Sequence, residues 1–123
     1  MKNIITLGLC FILHIYAFSQ EADSRLIKSY TQKEVMDFKT NNPEYYRMLV
    51  YALDNACYIT SVPEGKEFKE DGVVSIDPQS KPSFTDIGIR LKNQNQYFLI
   101  KNTNKMLVVK SEWVLKNELT RKK

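Results

Sequence analysis

Histidine is almost absent from this sequence of 123 residues, because the one histidine, His14, lies inside an apolar run near the N-terminus. If that run is removed on export, as argued below, the mature chain contains no histidine. Histidine is the side chain whose unperturbed pKa lies near neutrality. Its loss would exclude Ser–His and Cys–His nucleophilic systems, and also the usual histidine-ligated metal sites.

The first nineteen residues have the pattern of a signal peptide. Lys2 forms a short positive region, residues 4–15 form an apolar region, and Ala17 and Ser19 supply small side chains at the −3 and −1 positions of a cleavage site. We therefore predict cleavage before Gln20 and export to the periplasm or the cell exterior. The alternative is a membrane anchor, but the apolar run of about a dozen residues is shorter than the roughly 20 that span a bilayer.

Cysteine is scarce as well, with two residues in the chain. Cys10 lies in the apolar run, and the preceding Leu9 is too large for a lipoprotein signal, so we predict no lipid anchor there. Cleavage leaves Cys57 alone, and one cysteine cannot form an intramolecular disulfide. In an exported protein an unpaired thiol is buried, joined to another molecule or reactive. Cys57 ends an apolar helical stripe, which predicts a buried, inert thiol.

Glycine-rich and metal-binding motifs are missing too. The four glycines are isolated from one another, which excludes a glycine-rich phosphate-binding loop. There is no Cys-x-x-Cys pair, nucleophile elbow or calcium-binding loop, and residues 70–72 are better explained as a turn before a strand. We therefore predict no cofactor, metal or catalytic residue. A pair of carboxylates could still hydrolyse a glycan, and Asp54, Asp77 and Asp86 are the candidates for that alternative.

Charge is distributed unevenly along the predicted mature chain. Residues 101–123 carry seven basic side chains against two acidic ones, a net charge of +5, whereas residues 20–100 carry a net charge of −2. The basic end includes Arg121, Lys122 and Lys123, which complement the negative end of a C-terminal helix dipole. It could also contact anionic lipid or an acidic glycan. Nucleic acid is not expected as a partner, because export separates the protein from most of it.

Helix signals dominate the first half of the mature chain. Thr31 and Glu34 match a capping box for a short helix over about 32–40. Asn42 and Pro43 then match an N-cap followed by proline at the first helical position. Apolar side chains follow at helical spacing on a wide face, which indicates a helix packed against a sheet. They are Tyr45, Tyr46, Met48, Leu49, Val50, Ala52, Leu53 and Cys57.

From residue 58 the periodicity changes to that of strands. Short strands are predicted at 58–62 and 73–76, each ended by a turn that contains proline. Three further segments with short polar connections predict an antiparallel meander, over 86–92, 97–101 and 106–110. Ser111 can cap a final helix that reaches about Leu119. The predicted fold is α+β: N-terminal helices packed on an antiparallel sheet of four to five strands, then a short C-terminal helix, all in one domain over residues 20–123.

The strands predicted around 97–100 and 106–109 are apolar at every position, which is typical of strands covered on both faces. The long helix can cover one face, and we expect the segment 113–115 to fold back over the other. If Trp113 instead stays exposed, the uncovered face would mark a dimer or ligand surface. The candidate interaction surface therefore consists of Trp113, Arg121, Lys122 and Lys123.

Several segments resemble parts of small exported bacterial proteins of unknown function. They are residues 17–20 at the end of the signal peptide, 42–46, 58–59 and 101–108. The resemblance would cover most of the mature chain, and it implies a shared fold. Its motifs are turn and core signals, so it transfers no site residues.

These observations favour binding over catalysis. The mature chain is predicted to be an exported, non-catalytic binding or interaction protein of the bacterial cell envelope. Its partner would be a protein or another envelope component, or a second copy of the chain, and no transmembrane segment is expected after cleavage. The alternative is a small envelope hydrolase that uses carboxylates alone.

Overall fold

The computed structural model describes residues 22–65 and 69–121. Within these ranges the chain forms three α-helices, two short 3₁₀ helices and four strands, so the predicted α+β class is confirmed. The predicted signal peptide and its cleavage site lie outside the described ranges, with Lys2, Leu9, Cys10, His14, Ala17, Ser19 and Gln20, and so do Lys122 and Lys123 at the C-terminus.

The first α-helix begins where the sequence predicts it. A 3₁₀ helix at Ser24–Lys28 precedes helix α1, which spans Gln32–Asn41. The hydroxyl of Thr31 accepts a hydrogen bond from the backbone N–H of Glu34 at 3.1 Å. In return, the Glu34 carboxylate accepts one from the backbone N–H of Thr31 at 3.0 Å. The predicted capping box is therefore confirmed, and it satisfies two backbone donors that the helix itself leaves unpaired.

Helix α2 spans Pro43–Asn55 and lies at the centre of the core. The side chain of Asn42 accepts a hydrogen bond from the backbone N–H of Tyr45, which confirms the predicted cap. Proline suits the first position because its missing N–H would have no helical partner there. The buried side chains of α2 are Met48, Leu49, Ala52 and Leu53.

The four strands form one mixed sheet in the order β1-β4-β3-β2. Their bounds are Cys57–Ser61 for β1, Gly72–Val74 for β2, Gln96–Ile100 for β3 and Lys105–Val109 for β4. Strand β4 pairs antiparallel with both β1 and β3, whereas β2 pairs parallel with β3. The prediction of a purely antiparallel sheet is therefore wrong, because β2 and β3 are parallel. Strands β1 and β2 follow each other in the chain but occupy opposite edges of the sheet.

The strand predicted over 86–92 is also wrong. A 3₁₀ helix forms at Phe84–Ile87, and Gly88 ends it in the left-handed conformation with φ 69°. Glycine adopts that conformation more readily than other residues do. Because the left-handed conformation is not extended, a strand cannot continue through this position. Ile89 still packs against the core and Leu91 is buried. The apolar alternation therefore comes from an irregular segment that sends alternate side chains inward.

The C-terminal helix, α3, spans Glu112–Arg121 and packs beside α2. Ser111 caps it as predicted, because its hydroxyl accepts a hydrogen bond from the backbone N–H of Val114 at 3.2 Å. Leu115 is fully buried in the core. Across the described ranges, each helix is too short or too polar to cross a bilayer.

The helices share one hydrophobic core with a single face of the sheet. Strand register sends alternate side chains to that face. All of them belong to the same core as the buried side chains of α2, here called the helix-side core. They are Cys57, Ile59, Val74, Phe98, Ile100, Leu107 and Val109.

Candidate functional site

The second face of the sheet, here called the open face, carries mostly apolar side chains together with three hydroxyl groups. Strand register places its side chains in two rows that run across the strands. One row consists of Tyr58, Val108 and Tyr97, and the other of Thr60, Met106, Leu99 and Val73. None of them belongs to the core beneath the helices.

Exposure on the open face rises from its centre to its edges. Val108 and Met106, on the central strand β4, are buried, with 1% and 7% of their surface exposed. Tyr58 on β1 is 48% exposed, and Val73 on β2 is 62% exposed. The two edges of the open face therefore present apolar surface that a partner can cover.

Charged side chains lie at one corner of the open face. The ammonium of Lys110 lies 6.0 Å from the centre of the Tyr58 ring, and 2.9 Å from the Glu118 carboxylate on α3. The same carboxylate accepts a hydrogen bond from the hydroxyl of Tyr51 on α2 at 2.9 Å. Desolvation and the Glu118 carboxylate raise the pKa of Tyr51, so this hydroxyl stays a donor. These contacts connect the edge of the open face to both long helices.

Trp113 is the most exposed large apolar side chain of the described chain, at 71%. It lies in the first turn of α3, two residues before the buried Leu115. Successive helical residues differ by about 100° in direction, so these two side chains lie on opposite sides of α3. The expected fold-back of the segment 113–115 over the second face is therefore wrong: Leu115 packs into the helix-side core, and Trp113 stays in solvent.

Arg121 does not join Trp113 in one cluster, and Lys122 and Lys123 lie outside the described residues. Arg121 is exposed at the last residue of α3, eight residues after Trp113. A rise of 1.5 Å per residue separates their backbones by about 12 Å, a distance that puts them at opposite ends of the helix. The start of α3 instead lies against the irregular segment that precedes β3, because the backbone N–H of Glu112 donates to the carbonyl of Lys92 at 2.9 Å.

A groove of about 300 Å³ lies between α2 and α3. The Lys116 ammonium on its wall is 5.8 Å from the centre of the Tyr45 ring. The hydroxyl of Tyr45 donates to the Glu112 carboxylate at 3.1 Å. Burial, together with the nearby Tyr30 and Glu112, raises the pKa of Tyr45 well above its ordinary value. The hydroxyl is thus fixed as a donor that ties α2 to α3, which is a structural role.

The three candidate carboxylates have local structural partners. Asp54 pairs with Arg25 at 3.3 Å, and Asp77 accepts a backbone hydrogen bond within its own turn at 2.9 Å. A hydrogen bond from a backbone N–H, and then the Lys28 ammonium, lower the pKa of Asp86. A glycosidase needs one carboxylic acid with a raised pKa, so the environment of Asp86 is the opposite of what a general acid needs.

The described residues give no evidence for a metal site or for a reactive thiol. Among the residues that the structure describes, no three acidic, histidine or cysteine side chains cluster to hold a metal ion. Cys57 is the first residue of β1 rather than the end of α2, and it is half-buried. Burial, followed by the Asp86 carboxylate, raises the pKa of the thiol to about 12.

Comparison of the chain with protein-family models, with curated proteins and with solved structures gave no match. The resemblance to small exported bacterial proteins of unknown function therefore stays a prediction. The candidate site rests on the geometry of the open face and of Trp113.

Proposed function

We propose that the chain is an exported, non-catalytic binding protein of the bacterial cell envelope, and that it contacts a protein partner through the open face and Trp113. The observation that supports the proposal is the exposure of large apolar side chains, above all Trp113 at 71%. Tryptophan and tyrosine are enriched in protein interfaces, where they supply large contact areas and much of the binding energy.

Single exposed apolar side chains are ordinary on protein surfaces. Tyr58 and Val73 differ from that ordinary case because they border a face whose other members are apolar or carry only a hydroxyl. The exposed parts of Tyr58 and Val73 offer a partner apolar contacts at two edges of this face, with Lys110 as a charged group at one corner. We infer that affinity comes from these two side chains and from Trp113, and that the corner charge contributes to orientation.

Site-specific photo-crosslinking in the envelope of the producing cell tests the proposal. A photoreactive amino acid replaces Val73 or Trp113, and in a control variant it replaces Lys33, which is exposed on α1. Discrete adducts to one protein are expected from the first two positions and none from the control. Adducts at all three positions, or at none, would contradict the proposal.

Binding of the purified chain to the purified partner then tests the contact at Trp113 and Val73 directly. Trp113 is the one tryptophan in the sequence, so its fluorescence reports on its own surroundings. Addition of the identified partner is expected to shift the emission to shorter wavelength, and Val73→Asp is expected to weaken binding at least tenfold. An unchanged affinity in Val73→Asp would remove the open face from the proposed surface.

Two further measurements address export and the enzymatic alternative. Mass spectrometry of the natural protein is expected to find a chain beginning at Gln20, and a chain beginning at Met1 would contradict export by cleavage. Purified residues 20–123 are expected to leave peptidoglycan and oligosaccharides intact. Turnover that Asp86→Asn abolishes would establish the hydrolase instead.

A further inference from the structure

Strand β1 is an edge strand whose outer side can be assigned residue by residue. In an antiparallel pair, alternate residues direct both backbone groups toward the partner strand. Two flanking hydrogen bonds fix which residues do so: Lys110 N–H donates to the Ala56 carbonyl at 2.9 Å, and Val62 N–H donates to the Asn104 carbonyl at 3.0 Å. Even-numbered residues of β1 therefore bond to β4. The residues whose N–H and C=O groups face away from the sheet are Cys57, Ile59 and Ser61.

These outward groups have no hydrogen-bond partner among the described residues. Within residues 22–65 and 69–121, the recorded hydrogen bonds of β1 run to β4, and none involves the outward groups of these three residues. Natural edge strands are commonly blunted by charge, proline, a bulge or short length. Strand β1, Cys57–Ser61, contains neither charge nor proline, whereas the opposite edge strand, β2, has only three residues. The two edges of the sheet are thus unlike: β1 is the longer edge strand, and its own sequence has neither of the blunting residues.

We propose that β1 pairs antiparallel with β1 of a second copy of this chain, about a two-fold axis at Ile59. In this register Ile59 lies opposite the partner subunit's Ile59, and Cys57 lies opposite the partner subunit's Ser61. Three N–H and three C=O groups from each copy then form roughly six hydrogen bonds across the axis. The result is a continuous eight-stranded sheet.

Three observations favour a second copy over an unrelated chain. The hydrogen-bonding pattern is self-complementary. Only registers that place the odd-numbered residues of the two strands opposite each other form these hydrogen bonds, and among them only this one pairs all five residues of β1. The chain has a net positive charge, but strand β1 has no charged side chain, so pairing two β1 strands does not place like charges opposite each other. The pairing also sets Tyr58 beside the partner subunit's Thr60 and makes the two open faces continuous. An aromatic ring beside a β-branched residue is a favourable cross-strand pair.

The dimer does not depend on the proposed envelope partner, and its test uses purified residues 20–123 alone. Sedimentation equilibrium is expected to give twice the mass of one chain at micromolar concentration. Ser61→Pro removes one outward N–H and leaves the β1–β4 hydrogen bonds intact, so it should weaken dimerisation at least tenfold. The matched control, Ser61→Ala, keeps that N–H and should dimerise as the wild type does. A wild-type protein that is still monomeric at 100 µM would overturn the proposal, even if strand β1 pairs with a different protein.

Amide hydrogen exchange separates this interface from any other. At high protein concentration the outward amides of Cys57, Ile59 and Ser61 should exchange slowly, and on dilution they should become fast. The amides of Tyr58 and Thr60 bond to β4 and should stay protected at both concentrations. Protection of the outward amides that does not change with concentration would contradict pairing between two copies.

Disulfide trapping keeps the proposal testable even if Ser61→Pro fails to fold. Tyr58→Cys and Thr60→Cys, combined in a Cys57→Ser background, lie opposite each other across the axis at a Cα separation of about 4.5 Å, which a disulfide can bridge. Oxidation is expected to give a covalent dimer. The control, Val73→Cys in the same background, should stay monomeric on the same timescale. A covalent dimer from the control but not from the β1 pair would place the interface elsewhere.

Discussion

At the scale of single residues, Cys57 illustrates how surroundings control the chemistry of a side chain. Its thiol faces the helix-side core, and burial is the main cause of its raised pKa, followed by the Asp86 carboxylate. The thiolate is the reactive form of cysteine. A pKa of about 12 leaves almost none of it at neutral pH. In the proposed dimer Cys57 lies opposite a serine, so the arrangement also gives it no disulfide partner.

Cys57 is therefore expected to resist alkylation in the folded protein. At pH 8 the thiolate fraction falls about a thousandfold between an ordinary cysteine and one with a pKa near 12, so the folded chain should react with iodoacetamide at least about a hundredfold more slowly than the denatured chain. Mass spectrometry over time measures both rates. The control is Val73→Cys in a Cys57→Ala background, which should react at nearly the same rate folded and denatured. Equal rates for Cys57 in the two states would contradict a buried thiol.

At the scale of elements, the helix starts were predictable because both partners of each cap are close in sequence. Thr31 and Glu34 are three residues apart, and each bonds to the backbone of the other. Asn42 and Pro43 act in the same local way at the start of α2. Interactions of this range can be read from a short window of sequence.

The segment 86–92 could not be predicted in the same way, because its partners are distant in the chain. The guanidinium of Arg90 bonds to the Ser29 carbonyl at 2.9 Å and to both carboxylate oxygens of Glu34, at 2.6 and 3.0 Å. Those residues precede it by more than fifty positions. Apolar alternation alone does not distinguish a strand from an irregular segment held by such contacts, and the positive φ of Gly88 decides the outcome.

The two sides of α3 should respond very differently to truncation. Leu115→Ala removes a fully buried side chain and is expected to lower the free energy of unfolding by about 2–5 kcal/mol. Trp113→Ala removes an exposed side chain and should change it by less than about 0.5 kcal/mol. Urea unfolding followed by circular dichroism measures both variants without relying on tryptophan fluorescence. A loss of about 2 kcal/mol or more in Trp113→Ala would mean that Trp113 packs against the fold.

At the scale of the whole molecule, the order of the strands depends on contacts that no local pattern encodes. The apolar runs in β3 and β4 did indicate a sheet with two apolar faces, and the open face is the result. Sequence could not establish which face the helices cover, because that depends on how α2 and α3 pack together. Trp113 was a candidate only for the case in which it did not fold back over the sheet, and Tyr58 and Val73 were not candidates, since strand patterns do not reveal which edge positions stay exposed.

Stability in alkali is a property of the whole molecule, because it sums over acids buried in several elements. Burial raises the pKa of Cys57 on β1, of Tyr30 before α1, and of Tyr45 on α2. Each group is neutral when protonated. In the unfolded chain the thiol loses its proton near pH 8.5 and the phenols near pH 10. Above those values the unfolded state binds fewer protons than the folded state, so the free energy of unfolding must fall as pH rises.

The expected loss begins near pH 8.5 and continues toward pH 12, with a slope of up to about 1.4 kcal/mol per pH unit for each group once its unfolded form is ionised. Urea unfolding at pH 8, 9, 10 and 11 measures it. Cys57→Ala should flatten the first part of the curve, and Tyr45→Phe should flatten the part above pH 10. The control, Val73→Ala, alters an exposed side chain that does not ionise and should keep the wild-type slope. A free energy of unfolding that is constant from pH 8 to 11 would mean that these groups ionise as readily in the folded protein as in the unfolded chain, and so that the helix-side core admits water.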